Sequence, residues 1–222
     1  FLLSNQKLKG KKALVTAGPT QEPLDPVRYI SNHSSGKMGF AVAEALADLG
    51  AEVNLITGPT NQHTAHTRIR VKNVKTAREM LDSCTEVFDD TDIAVFSAAV
   101  VDYRPREIAV QKIKKKDADL TLELTKTDDI AAALGKRKRA GQVIVGFALE
   151  TENEEVNALE KLKSKNFDLI VLNSLNDEGA AFGHDTNKVT ILDGVKKATF
   201  ELKTKKQVAA DIVQAIIEKI HA

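Results

Sequence analysis

The 222-residue sequence has no tryptophan, one cysteine, two methionines and five prolines, and aromatic residues make up only 5% of it. The lone cysteine, Cys84, excludes an intramolecular disulfide and zinc sites built on two cysteines, and it fits a reducing, cytoplasmic compartment. No apolar run approaches the ~20 residues that a membrane-spanning helix needs. The longest, residues 93–101, is far shorter, and no signal-peptide pattern opens the chain. An excess of charge of one sign is also missing: 32 Lys and Arg stand against 31 Asp and Glu, for a net +1. A chain so close to neutral has no overall attraction for nucleic acid or an anionic membrane, so an anionic ligand has to be held by a local cluster of cations.

What is present is enough for a sizeable core, with 42% apolar and 28% charged residues. Residue 1 is Phe rather than Met, in keeping with a domain cut from a longer protein, and a single domain over 1–222 is expected. Apolar runs at 12–18, 51–57, 69–74, 93–99, 143–148 and 168–173 predict strands. Helical spacing predicts helices over 36–49, 76–88, 128–138, 154–165 and 208–220. Strand and helix alternate, and the strands are continuous apolar runs. This pattern predicts an α/β fold with a doubly wound, Rossmann-like, mostly parallel sheet. Two stretches depart from it. Residues 188–192 and 198–203 flank Asp193 and Gly194, a hairpin signal that predicts an antiparallel C-terminal edge. In 113–125, Leu120, Leu122 and Leu124 alternate with polar residues, which predicts an inserted, exposed hairpin arm.

In an open α/β sheet, ligands bind beyond the carboxyl ends of the strands. The loop after the first strand, residues 18–39, far exceeds the usual ~2–6 residues and is a functional candidate. Its end, Ser34, Ser35, Gly36, Lys37, Met38 and Gly39, places small residues at a helix N-terminus, which suits a phosphate. It is neither a Walker motif nor a GxGxxG fingerprint, and the same residues would also serve as a plain helix cap. After the fourth strand, Phe96, Ser97, Ala98 and Ala99 would let a planar group approach the backbone, with Asp102 placed for ribose hydroxyls. The cations 112–116 read as a solvated hairpin face unless they gather over those loops. Lys161 and Lys165 share a helix face, and Phe147 reads as core. Lys136, Arg137, Lys138 and Arg139 are assigned to a last helical turn. His63 and His66 form an isolated pair unsuited to a metal, and Cys84 reads as buried and inert.

The residues Ala17, Gly18, Pro19 and Thr20, the run 22–40, then Ala98, Ala99, Val100, Asp102 and Tyr103, Lys112 to Lys115, and Gly146, Phe147, Ala148, Glu150 and Thr151 together closely resemble phosphopantothenoylcysteine synthetase, the phosphopantothenate-cysteine ligase family of coenzyme A biosynthesis. The likeness covers essentially the whole chain. It is greatest to the C-terminal half of the bacterial bifunctional form, whose N-terminal half is a flavin-dependent decarboxylase. The resemblance implies joining of 4′-phosphopantothenate to L-cysteine with CTP and Mg²⁺, through an acyl-cytidylate, in a homodimer. It implies that Asn32 contacts the acyl intermediate, that Arg28 and Ala99 serve cysteine attack, and that Lys112, on a flap, serves acyl-cytidylate formation. Ser34, Ser35 and Gly36 would bind substrate. Phe96, Ser97, Ala98, Asp102, Phe147, Lys161 and Lys165 would bind the nucleotide, with Thr127, Asp128, Asp129 and Ile130 where relatives carry Asn-Pro-Asp-Ile. The resemblance leaves the metal ligands unassigned. The fold alone would also allow a nicotinamide-dependent reductase or a non-catalytic nucleotide sensor.

Overall fold

The computed structural model describes residues 6–114, 120–174 and 184–221. In chain order the elements are β1 (Lys12–Ala17), β2 (Gln21–Pro23), β3 (Tyr29–Ser31), α1 (Lys37–Asp48), β4 (Glu52–Thr57), β5 (Ile69–Asn73), α2 (Ala77–Phe88), β6 (Ile93–Phe96), β7 (Tyr103–Pro105), β8 (Leu124–Lys126), α3 (Ile130–Gly135), β9 (Val143–Glu150), α4 (Glu154–Ser164), β10 (Leu169–Ser174), β11 (Thr186–Asn187), β12 (Val189–Leu192), β13 (Lys197–Thr199), β14 (Lys203–Thr204) and α5 (Lys205–Ile220).

Eight strands form one sheet in the order β13-β12-β10-β9-β6-β1-β4-β5. Pairing is parallel from β10 to β5, and β12 and β13 add the antiparallel edge. From β1 the chain winds outward through β4 and β5, then crosses to the other side of β1 and winds through β6, β9 and β10. The strand order therefore reverses between β1 and β6, and a crevice opens beyond their carboxyl ends.

Strand side chains alternate between two helical layers. Ala13, Val15, Ile93 and Val95 join Phe40 and Leu46 of α1 and Ile212 and Ile216 of α5. Leu14, Ala94 and Phe96 join Met80 and Phe88 of α2, Ile130 and Leu134 of α3, and Leu162 of α4. Each fully buried large side chain contributes about 1.5–3 kcal/mol.

Several predicted bounds shift, each for a local reason. The fourth strand ends at Phe96 rather than at residue 99, because the Ser97 and Ala98 N–H groups turn to Thr16 Oγ1, both at 3.2 Å. The helix predicted over 128–138 spans only Ile130–Gly135: Asp129 caps it by accepting from Ala132 N at 2.9 Å. The basic run beyond it therefore lies outside the helix. Arg137 pairs with Asp89 at 2.7 Å, Lys138 with Asp168 at 2.6 Å, and Arg139 donates to Thr91 O at 2.9 Å. The arm also differs from its prediction. Its ladder joins Tyr103–Pro105 to Leu124–Lys126, so the hairpin begins ten residues before 113, while 113, 114 and 120–123 carry no strand. Lys115 and Lys116 lie outside the described residues. The last helix starts at Lys205, where Thr204 and Gln207 form a capping box.

Candidate functional site

A cavity of about 990 Å³ occupies the crevice beyond β1 and β6. Three connections shape it. The loop after β1 folds into the β2–β3 hairpin and then enters α1. The loop after β6 is fastened to it: Ala99 N donates to Gly18 O at 2.9 Å and Val101 N to Thr20 Oγ1 at 3.0 Å. The third connection follows β8, where Thr127 N donates to Asp102 O at 2.9 Å.

The wall includes Asn32, Ser34, Ser35 and Gly36 from the first loop, with Phe96, Ser97, Ala98, Ala99 and Asp102 from the second. Thr127, Asp128, Asp129, Ile130, Phe147, Lys161 and Lys165 complete the set that the sequence singled out. Arg28 and Lys112 are not part of this wall.

Gly36 is the N-cap of α1 with φ 74°, a left-handed conformation that favours glycine. Neither Ser34 nor Ser35 caps the helix by its side chain. Gly39 lets α1 lie against the carboxyl end of β1: a Cβ there would sit 2.6 Å from Ala17 Cβ and 2.7 Å from Ser97 Oγ. Together these features form a small-residue cradle at a positive helix end, suited to a phosphoryl group.

Asn32 Nδ2 donates to Val100 O at 2.9 Å, which uses one of its two amide hydrogens and fixes the side chain across the cavity wall. At the α4 end, Lys161 pairs with Glu150 at 2.6 Å and Lys165 with Asp129 at 2.8 Å. Burial opposes ionisation of Asp129, but the Lys165 ammonium and the Ala132 and Ala131 N–H groups overcome it, so its carboxyl lies below the ordinary value.

Two cations not singled out as such from the sequence also face the cavity. Lys37 and Lys205 line the cavity with Asn173 and Asn187. Burial, with the charge of Lys37 beside it, lowers the Lys205 ammonium below its ordinary value, and Asp185 partly offsets this. Lys37 pairs with Asp185 at 2.6 Å. One signal was available, since a lysine in the first turn of a helix opposes the macrodipole and calls for another reason to be there.

Asp25 was missed as well. Its side chain has no exposed surface. It accepts from Val27 N and Arg28 N at 2.8 Å, Arg28 Nε at 2.9 Å and Ile113 N at 3.1 Å. The Arg28 guanidinium holds its carboxyl well below the usual carboxylate range, against the effect of burial.

A family profile described as "DNA/pantothenate metabolism flavoprotein C-terminal domain" matches residues 8–220. The chain is 49% identical over 220 residues to a protein of an unknown prokaryotic organism named cysteine/cysteine sulfinic acid decarboxylase, covering 99% of this chain and 61% of that one. It is 44% identical over 211 residues to the coenzyme A biosynthesis bifunctional protein CoaBC of Bacillus subtilis, covering 94% of this chain and 52% of the relative. The chain thus spans little more than half the length of the relatives it matches. The crystal structure of the C-terminal domain of a CoaBC protein superposes with a TM-score of 0.82 at 38% identity, covering 97% of this chain and 98% of that one. Sequence and fold agree across nearly every residue, and the chain belongs to the DNA/pantothenate metabolism flavoprotein C-terminal domain family.

Proposed function

We propose that the chain is a phosphopantothenate-cysteine ligase, the synthetase half of a bifunctional coenzyme A biosynthesis protein whose other half is a flavin-dependent decarboxylase. The observation that carries the reading is the convergence of Asn32, the Gly36 cradle, the loop after β6 and the α4 lysines on one cavity at the strand-order reversal.

In the first step a carboxylate oxygen of 4′-phosphopantothenate attacks the α-phosphorus of CTP, a P–O bond forms, and pyrophosphate leaves. Lysines and helix N-terminal amides offset the charge concentrated there. In the second step the cysteine amine attacks the acyl carbon, an amide forms, the amine gives up a proton, and CMP leaves. An amide donor at Asn32 suits the oxyanion of that step, a contact whose loss elsewhere costs about 3 kcal/mol. Among the described residues no group of three or more His, Cys, Asp or Glu is assembled for a metal ion. Mg²⁺ would need only one or two carboxylates beside the nucleotide phosphates, where it would offset their charge, and Asp102 and Asp128 of the cavity wall could hold it.

Arg28 and Lys112 stand outside the cavity wall of their own chain, so the reading assigns them to a site completed by a second copy. Exposed apolar residues support a homodimer through the arm and the first loop, among them Val110 at 91%, Val27 at 59% and Leu120 at 55% exposed. No helix among the described residues is long and apolar enough to cross a membrane, and the reading places the enzyme in the cytoplasm.

Pyrophosphate release from CTP, ATP, GTP and UTP, with phosphopantothenate and with or without cysteine, tests the proposal. Lys112→Gln is expected to block pyrophosphate release, whereas Asn32→Asp accumulates acyl-cytidylate. Normal CMP formation by both variants would sink the role assignment.

A further inference from the structure

The first loop and the arm meet through one carboxylate. Asp25 Oδ2 accepts from the backbone N–H of Ile113, and Arg28, whose Nε and NH2 both donate to that same oxygen, also donates through NH2 to Ile113 O at 2.9 Å. Both backbone groups of the residue after Lys112 are therefore held by one ion pair, whose carboxylate is buried and whose guanidinium is partly exposed. A third contact lies alongside, from Ala109 N to Leu24 O at 3.1 Å. Asp25 is itself immobilised by the Val27 and Arg28 N–H groups, which close a turn around it. A charge-assisted pair made by two nitrogens of one planar guanidinium fixes direction as well as distance, which a neutral contact to an exposed arm would not do.

We infer that Asp25 is a positioning residue for the first half-reaction: through Arg28 and Ile113 it sets the place and direction of the backbone that carries Lys112. The inference rests on the ligase reading for the task given to Lys112. The latch itself is independent of that reading. It also ties residues 112–114, which carry no strand pairing, to the first loop.

The test is a double-mutant cycle on pyrophosphate release from CTP and phosphopantothenate without cysteine, with wild type, Asp25→Asn, Lys112→Gln and the double variant. If Asp25 acts through Lys112, Asp25→Asn lowers kcat about tenfold while KM for CTP changes little. The double variant is then no slower than Lys112→Gln alone. Losses that multiply would overturn the inference, because a merely structural role has no reason to vanish with the lysine. Amide hydrogen exchange provides the second readout: Ile113 should exchange faster in Asp25→Asn while the β9 amides keep their protection, and unchanged exchange at Ile113 would overturn the latch. Should Asp25→Asn not fold, Ile113→Pro deletes the same hydrogen bond from the exposed arm and is expected to lower kcat likewise, and wild-type kcat in that variant would count against the idea. A wild-type protein that releases no pyrophosphate would defeat the ligase reading, and exchange at Ile113 would still decide the latch.

Discussion

Cys84 lies on the inner face of α2, has no exposed surface, and sits among Met80, Phe88 and Leu14. Burial pushes its thiol up to about 12, with only the charge of Lys72 working the other way. The folded chain therefore holds the proton more tightly than the unfolded chain, whose thiol titrates near ~8.5. The associated stability is fully present below that value and is lost as the pH rises toward 12. In native protein at about pH 8, Cys84 is expected to resist a disulfide-exchanging thiol reagent and to react at once in denaturant. Rapid stoichiometric labelling of the native protein would contradict this placement. The cysteine was readable from the sequence because apolar spacing alone decides the inner face of a helix. Asp25 was not. An Asp followed by Pro26 marks a turn, but its partner Ile113 lies 88 residues away and carries no signal of its own.

At the scale of elements, legibility follows the range of the interactions. The strands of the parallel sheet and the long helices were readable because their patterns are local. α3 was overextended because its limits are set elsewhere. Gly135 passes so close to α4 that a Cβ there would lie 2.0 Å from Lys165 O, and the start is set by Asp129, which caps the helix while pairing with Lys165. The arm was recognised from its alternating leucines, but its register belongs to Tyr103–Pro105, a partner that periodicity in 113–125 does not contain. The same dual role makes Asp129 testable. Asp129→Asn keeps an oxygen for the cap and removes the charge facing Lys165, whereas Asp129→Ala removes both. The alanine variant is expected to lose about 1 kcal/mol of stability by urea unfolding. The asparagine variant should lose clearly less, and both should shift KM for CTP by releasing Lys165 within the cavity. Equal KM values in wild type and both variants would detach α3 from nucleotide binding.

For the whole molecule, the near-zero charge conceals sorting. Lys37 and Lys205, at the starts of α1 and α5, and Lys161 and Lys165 of α4 line the cavity, while Arg28 and Lys112 lie on the neighbouring loop and arm, outside the wall. That last separation carries the largest consequence of the fold. If a second copy brings its arm to the cavity, each active site draws residues from two chains, and a two-fold dimer contains two such composite sites. Consider Ala98→Phe, which fills the cavity, and Lys112→Gln, which disables the arm; each homodimer is then inactive. When the two are co-expressed under different tags and purified on both, one composite site pairs the two defects and the other has neither. The mixed dimer is thus expected to recover about half of the wild-type ligase rate. A site contained within one chain would give a mixed dimer as inactive as its parents. The interface can be checked separately: Val110→Glu with Leu122→Glu places charges in the exposed apolar surface of the arm. Sedimentation should then show monomers that bind CTP without forming acyl-cytidylate, whereas a monomer retaining the full rate would return Arg28 and Lys112 to a cavity of their own chain.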